Sequence, residues 1–195
     1  MQTLKLAVPL ALALLLAGCV VPSVHPFYTE ETLIFDPGLL GIWADKDGER
    51  WIFLASGEAG YELVTNPKGK HAPASFDARL VQIGQQRYLD LCPKQVEGEP
   101  GFRDWHMIPA HSIARVRLNG DTLEMSTLSL EWLRDRIDER QLQIAHSRLG
   151  KDSVLLTAPP AQLQAMVMLV ADDAKAFPEG GRSAASREEP APKPH

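Results

Sequence analysis

The stretch Leu39-Leu40-Gly41-Ile42-Trp43-Ala44 marks the point where this chain changes from helical turns to extended structure. Just before it, Asp36-Pro37 has the pattern of a helix start, a capping carboxylate followed by proline at the first helical position. From Gly41 onwards apolar residues recur with a period of two, which is typical of a half-buried strand. The stretch therefore predicts a short helical turn that leads directly into the first strand of a sheet.

Further strands follow at close spacing and are separated by turn signals. Lys46-Asp47-Gly48 is a hairpin signal, and Asn119-Gly120 is the strongest hairpin dipeptide in the chain. Alternating segments predict strands over 50–55, 61–65, 76–81, 87–92, 106–118 and 123–127. Short strands joined by turns predict a mainly β fold, either an antiparallel meander or a small barrel.

Two helices interrupt or follow these strands. Ser129 is placed to cap an inserted helix over 130–137, whose apolar residues have helical spacing. Two short strands, 144–148 and 154–157, come next. Pro159-Pro160 then opens a C-terminal helix, whose apolar face consists of Leu163, Met166, Val167 and Val170.

Composition divides the chain into segments. Residues 36–177 form the predicted β-rich globular domain, and residues 19–35 are predicted to be a tether. Phe177 is the last large apolar residue, and residues 178–195 are rich in proline, glycine and charge. Because such a segment cannot bury enough apolar surface to offset its ordering entropy, we predict a disordered tail.

The first residues have the pattern of an export signal. The apolar run from Leu6 to Leu16 fits the core of a signal peptide, about 7–15 residues, and falls short of the roughly 20 residues that span a bilayer. Its end, Leu16-Ala17-Gly18-Cys19, resembles the lipobox of bacterial lipoproteins. The resemblance implies that residues 1–18 are removed and that lipid, palmitate among its acyl chains, is attached to Cys19. Val20, instead of aspartate, follows the anchor and implies delivery to the outer membrane, facing the periplasm.

The motif Leu39-Leu40-Gly41-x-Trp43, between a helical turn and a β-meander, resembles the start of a lipocalin or calycin barrel. The resemblance implies that Trp43 closes one end of a barrel beneath the short helix. It also implies that Gly41 permits a close backbone approach. The whole chain resembles uncharacterised exported lipoproteins of Gram-negative bacteria, and a shared fold alone would not supply an activity.

Charge and cysteine count exclude some classes of function. The formal net charge is −5, from 20 basic and 25 acidic side chains, and no basic cluster is present. We therefore predict no binding to nucleic acid. With Cys19 carrying lipid, Cys92 has no intramolecular disulfide partner, so the domain depends on burial for its stability.

Three sets of residues are candidates for chemistry. Cys92 paired with His106 or His111 would give a nucleophile and a base, although an unpaired cysteine is more often a small buried apolar residue. Asp104 could join the two histidines as metal ligands. However, residues five apart on a strand point to opposite faces, and no metal-binding spacing is present. We predict no metal and no cofactor.

Two further sets leave alternatives open. Asp90 and Glu124 are either an acid–base pair or polar residues on a solvated sheet face. The aromatic residues of the first strands either line a ligand cavity or fill the barrel; they are Trp43, Trp51, Phe53 and Tyr61.

The sequence thus favours a lipid-anchored, non-catalytic binding or envelope-interaction module, attached to the membrane through Cys19. Its partner would be an envelope protein or a small apolar ligand. The first alternative is a carrier of a small apolar ligand in a lipocalin-like barrel. The second alternative is an enzyme that uses Cys92 with a histidine.

Overall fold

The computed structural model describes residues 20–66, 72–94, 107–178 and 182–188. The predicted signal peptide, Cys19, Asp104 and His106 lie outside the described residues. No helix in the described ranges is both long enough and apolar enough to cross a membrane.

Strands dominate the fold. In chain order they are β1 (Leu33–Ile34), β2 (Gly41–Asp45), β3 (Arg50–Ser56), β4 (Gly60–Asn66), β5 (Ala74–Ile83), β6 (Gln86–Pro93), β7 (Ser112–Asn119), β8 (Thr122–Thr127), β9 (His146–Leu149), β10 (Ser153–Leu156) and β11 (Arg182–Arg187). The helices are α1 (Leu130–Asp138), α2 (Pro160–Leu169) and two 3₁₀ helices, Glu30–Thr32 and Pro37–Leu39.

Eight of these strands form a closed antiparallel barrel. Around the barrel the order is β5, β4, β3, β2, β11, β8, β7 and β6, and β6 pairs back to β5. β1 adds two residues to one edge of β5, whereas β9 and β10 form a separate hairpin. The prediction of a mainly β fold with a small barrel, an inserted helix and a late helix is confirmed.

Local sequence signals account for the turns and caps. Gly48 and Gly120 have φ angles of 81° and 58°, so the two hairpin turns use the left-handed conformation that glycine adopts readily. Ser129 Oγ accepts a hydrogen bond from Trp132 N at 3.2 Å and caps α1. Asp36 Oδ1 accepts one from Gly38 N at 2.8 Å and caps the second 3₁₀ helix.

The two ends of the barrel differ. At the closed end, the 3₁₀ helix Pro37–Leu39 precedes β2, and Leu39 is buried. At the open end, β2 finishes at Asp45, β6 finishes at Pro93 and β7 begins at Ser112. The open end is so named because it lies opposite the 3₁₀ helix; the segments that join strands there, 67–71, 95–106 and 179–181, lie outside the described residues.

Two apolar clusters are built on the same sheet. The interior cluster fills the barrel and includes Leu39, Trp43, Phe53, Tyr61, Leu80 and Leu89. The outer cluster packs the two α-helices and the N-terminal segment against the outside of β5, β6 and β7. Its members include Phe27, Val81, Tyr88, Leu133, Val167 and Phe177.

The predicted disordered tail is wrong for residues 182–187. These residues form β11, which pairs with β2 on one side and with β8 on the other and so closes the barrel. Backbone hydrogen bonds to two neighbours order the segment, and they require no large apolar side chain. Ala185 is nevertheless buried in the interior cluster, opposite Leu123 of β8 and Asp45 of β2.

The predicted tether over 19–35 is not free chain within its described part. Val21, Ser23 and Phe27 are buried. Ser23 N donates to His111 O at 2.8 Å, and His111 N donates back to Ser23 O at 2.8 Å. The segment therefore belongs to the domain from Val21 onwards, because its apolar residues cover the outer face of the barrel.

Candidate functional site

Trp43 is locked into the closed end of the barrel. Its side chain is fully buried, and its Nε1 donates to Leu39 O at 2.9 Å. The guanidinium of Arg187 lies 4.3 Å from the centroid of the Trp43 ring, in the geometry of a cation–π contact. Arg187 also donates from Nη1 to Leu40 O at 2.7 Å and from Nη2 to Gly38 O at 2.5 Å. One arginine thus ties β11 to both the tryptophan and the 3₁₀ helix.

Gly41 leaves room for this arginine. Its φ is +126°, a conformation that other residues rarely adopt. A Cβ atom at this position would lie 2.8 Å from Arg187 Nη1. The close approach expected at Gly41 is therefore present, and the atom that makes it belongs to the last strand.

Tyr61 also contributes to the packing of the closed end, through hydrogen bonds to Asp36. Its Oη accepts a hydrogen bond from Asp36 N at 2.7 Å and donates to Asp36 O at 3.1 Å. Phe35 stacks on the Tyr61 ring with centroids 5.0 Å apart, and Arg87 Nη1 lies 2.7 Å from Asp36 Oδ2. Burial raises the pKa of the Tyr61 hydroxyl, so it stays a neutral hydrogen-bonding group. These side chains and their hydrogen bonds therefore fill the closed end of the barrel.

The four aromatic residues singled out from the sequence all lie inside the barrel. Trp43 and Trp51 occupy opposed positions on β2 and β3, and Phe53 packs edge-on against Tyr61 with centroids 6.3 Å apart. All four side chains are buried, and Trp51 is the most exposed of them at 7%. Around Trp43, Phe53 and Tyr61 the interior is packed by side chains.

Near the open end the interior is less tightly covered. The pairing register places Phe76 opposite Leu63, Leu91 opposite Ala78 and Met125 opposite Val116. Because each partner belongs to the interior cluster, these three side chains face inward, yet each keeps partial exposure. We call Trp51, Phe76, Leu91 and Met125 the mouth residues. They form an apolar rim on the inner face of the sheet, and three of them, Phe76, Leu91 and Met125, are partly exposed.

No family model, curated protein or solved structure matches this chain.

Cys92 lies on the outer face of β6, opposite Asp77 of β5. Burial raises the pKa of the Cys92 thiol, and the nearby carboxylates of Asp90 and Asp77 raise it further. A nucleophilic cysteine requires the opposite environment, one that stabilises the thiolate. Of the two histidines considered as its base, His106 is outside the described residues and His111 is engaged elsewhere.

His111 and Asp90 form a pair on the outside of the barrel. His111 Nδ1 lies 2.7 Å from Asp90 Oδ1, and Asp90 Oδ2 accepts a hydrogen bond from Phe27 N at 2.8 Å. Asp90 is 1% exposed, so its carboxyl group is buried, and each of its two oxygens has one of these groups as a partner. The pair fastens the N-terminal segment to β6 and to the residue just before β7. Sequence reasoning did not find this partnership.

The structure does not bring together the other candidate residues. Asp90 lies opposite Ile113 and Glu124 lies opposite Arg117, so the two carboxylates occupy strands separated by β7 and positions four residues apart. Within the described ranges, no cluster of three histidine, cysteine or acidic side chains has the geometry to hold a metal ion.

A second depression lies outside the barrel. It has a volume of about 420 Å³ and is lined by the end of α1, the loop before β9 and the start of α2; its residues include Ile137, Leu142, Ile144, His146 and Gln162. His146 Nδ1 lies 2.8 Å from Ile144 O. This depression adds a mixed apolar and polar groove to the surface, separate from the mouth.

Sequence patterns identified some of the residues inside the barrel, but they did not identify the mouth residues or Arg187 as parts of a site. Strand alternation placed Phe76 and Met125 on faces of strands, although nothing local identified those faces as the barrel mouth. Arg187 had no detectable signal, because it lies in a segment whose composition is that of a disordered chain.

Proposed function

We propose that this protein is a lipid-anchored, non-catalytic binding module of the cell envelope, and that its barrel takes an apolar ligand at the open end. The observation that carries the proposal is the rim of inward-facing but partly exposed apolar side chains, Phe76, Leu91 and Met125. Exposed apolar atoms inside a concave rim are the feature that most ligand sites share. Most of the interior cluster is buried, and Leu118, near the closed end, is another inward-facing strand residue that keeps partial exposure.

Packing of the closed end limits the ligand. Trp43, Phe53 and Tyr61 occupy the inner half of the barrel and are at most 1% exposed. A ligand is therefore held in the outer half, with its remainder outside the barrel. An acyl chain inserted by one end, or a small ring system, fits this arrangement. Phe76, Leu91 and Met125 are all apolar, so the part of the ligand that they contact is apolar.

Two observations support the anchor. Leu16-Ala17-Gly18-Cys19 follows an apolar run of signal-peptide length. Val20, the first described residue, is 47% exposed, so the described part of the chain begins at the surface of the domain. A chain lipidated at that point would retain the domain at the membrane, on the periplasmic side of the outer membrane.

Ligand binding is tested with N-phenyl-1-naphthylamine, an uncharged dye whose emission rises in apolar sites, and with displacement by fatty acids of increasing length. Leu91→Trp fills the mouth and is expected to weaken dye binding about tenfold, the loss of roughly 1.4 kcal/mol of apolar contact. Leu169→Trp, on the exposed end of α2, is the matched control and should bind as the unchanged protein does. Equal binding by both variants, or no binding by the unchanged protein, would refute the ligand proposal.

Anchoring is tested by the intact mass of protein extracted from membranes of a Gram-negative host. The expected mass is that of residues 19–195 plus a diacylglyceryl group and an amide-linked acyl chain. A Cys19→Ser chain should lose the added mass and leave the membrane fraction. The anchor is disproved if Cys19 is unmodified or if the serine variant remains in the outer membrane.

A further inference from the structure

Several large apolar side chains are exposed, and two of them are adjacent at the open end of the barrel. Met107 is 57% exposed and Ile108 is 77% exposed. They precede His111 by four and three residues, and β7 begins one residue later, at the open end. Neither side chain belongs to the interior or the outer cluster. Packing within the domain therefore does not explain why two adjacent apolar residues occupy this position.

The anchor leaves the domain at the same end. Ser23 is hydrogen-bonded to His111 through both backbone groups at 2.8 Å, so the two residues are fixed side by side. Cys19 is four residues before Ser23, and four extended residues span at most about 14 Å. Acyl chains on Cys19 would thus hold Ser23 and His111 close to the bilayer. Ile108, three residues from His111, is within about 11 Å of it.

We propose that Met107 and Ile108 insert into the bilayer beside the lipid on Cys19, so that the open end of the barrel faces the membrane. The inference rests on the lipid anchor proposed above. Removal of residues 1–18 takes away Lys5 and changes the net charge from −5 to −6, so the protein gains little from electrostatic attraction to anionic lipids and contact with the membrane depends on apolar insertion. In this orientation a membrane acyl chain is the ligand with the shortest path to the mouth residues.

A matched pair of apolar residues lies at the other end of the molecule. Met168 is 57% exposed and Leu169 is 75% exposed, at the end of α2. Gly84, in the turn between β5 and β6 at the closed end, is the neighbour of Met168: a Cβ at Gly84 would lie 3.9 Å from Met168 Sδ. These residues have the composition and exposure of Met107 and Ile108, but they should point away from the membrane.

The experiment uses the lipidated full-length mature chain with Cys92→Ser, reconstituted in vesicles of phosphatidylethanolamine and phosphatidylglycerol. A nitrobenzoxadiazole label is attached either at Ile108→Cys or at Leu169→Cys. Flotation first establishes that both proteins are anchored, and unchanged unfolding midpoints establish that both are folded. We expect blue-shifted emission and quenching by nitroxide-labelled lipid for the label at 108, and neither effect for the label at 169.

Each outcome separates docking from anchoring. If both proteins float but the label at 108 stays in water, docking is overturned and the anchor stands. Quenching at 169 without quenching at 108 would mean the reverse orientation and would also overturn the proposal. Quenching at both positions would mean that the domain has no preferred orientation, again against it. Failure to float would remove the anchor and the docking together, while dye binding in solution would still report on the barrel mouth.

Discussion

Trp43 contacts parts of the chain that lie far apart in the sequence. It is buried, hydrogen-bonded to Leu39 O and covered by the guanidinium of Arg187. These contacts join the 3₁₀ helix, the first barrel strand and the last one. Removal of the indole would therefore leave a cavity and also release the arginine that holds β11 against the closed end.

We expect Trp43→Ala to lower the free energy of unfolding by about 3–5 kcal/mol, the range for large aromatic truncations in cores. A domain of this size has only about 5–15 kcal/mol in total, so the variant should be close to its folding threshold. Denaturant titration measures the loss, and Lys46→Ala, at an exposed position, is the control and should stay within about 0.5 kcal/mol. An unchanged midpoint for Trp43→Ala would mean that the indole contributes nothing to closure.

The raised pKa of Cys92 leads to a prediction about reactivity. Alkylation of Cys92 by iodoacetamide at neutral pH should be slower than that of a free cysteine, and its rate should continue to rise above the ordinary thiol pKa of about 8.5. Asp77→Asn removes one of the carboxylates that raise the pKa and should increase the rate at neutral pH. A fast reaction that levels off below pH 7 would instead indicate an activated thiol and would revive the enzyme hypothesis.

At the scale of single elements, β11 is the strand that joins β2 to β8 and so closes the barrel. It is six residues long, and it lies between β2 and β8, which would otherwise be two unpaired edges. Its contribution comes from two backbone ladders, the buried methyl group of Ala185 and the contacts of Arg187. A closed barrel has no free edge, and loss of this strand would expose two.

Truncation after Phe177 should therefore destabilise the protein, by at least about 3 kcal/mol, since several backbone hydrogen bonds of roughly 1 kcal/mol each are lost with the strand. Truncation after Glu188 keeps β11 and serves as the control, with an expected change below about 0.5 kcal/mol. Thermal and denaturant unfolding of the two truncated chains provide the comparison. Equal stability of the two would show that the barrel does not need β11.

The segment after α2 is fastened by Asp173. Its Oδ2 accepts a hydrogen bond from Trp132 Nε1 at 2.9 Å, and its Oδ1 accepts one from Lys175 N at 2.8 Å. The backbone hydrogen bond from Lys175, with smaller contributions from Trp132, Arg136 and Ala176, lowers the pKa of Asp173. A carboxyl whose pKa is lower in the folded state stabilises the protein above its unfolded pKa, and this stability is lost as the pH falls through the folded pKa.

Asp173→Asn should accordingly cost about 1 kcal/mol at pH 7, a modest value because the side chain is 30% exposed. The difference from the unchanged protein should shrink below the ordinary aspartate pKa of about 3.9 and vanish once the folded-state carboxyl is protonated. Denaturant midpoints measured from pH 7 downwards test this. A difference that stays constant across the whole series would assign the effect to packing instead of charge.

On the scale of the whole molecule, one sheet holds both apolar clusters. Leu80 and Leu89 face the barrel interior, whereas Val81 and Tyr88, their sequence neighbours, face the outer cluster. Successive side chains on a strand point to opposite faces, so β5 and β6 are buried on both sides. The helices and the barrel therefore cannot lose their packing independently of each other.

We expect a change in the outer cluster to destabilise the whole fold. Leu133→Ala, at a fully buried position of α1, should cost about 2–5 kcal/mol. Far-UV circular dichroism and tryptophan fluorescence should report the same shifted midpoint, as two-state unfolding requires. Leu149→Ala, at a half-exposed position, is the control. Two separate transitions in Leu133→Ala would contradict a single cooperative unit.

The sequence by itself determined the features that depend on neighbouring residues. Asp36-Pro37 predicted the 3₁₀ helix, Gly41 to Trp43 predicted the first strand, Asn119-Gly120 predicted a hairpin and Ser129 predicted the cap of α1. Each of these rests on the conformational preference of a few adjacent residues, so it leaves a trace in the local pattern. Alternation along the strands likewise predicted a β fold and placed four aromatic residues inside it.

Only the tertiary structure decided how distant parts of the chain combine. Arg187 and Leu40 are 147 positions apart, and Phe27 and Asp90 are 63 apart. A hydrogen bond between such residues imposes no pattern on either sequence segment, and for that reason β11 looked disordered and the N-terminal segment looked like a tether. The mouth residues are recognisable only after the barrel has closed, because inward orientation and partial exposure are properties of the assembled sheet and not of any strand alone.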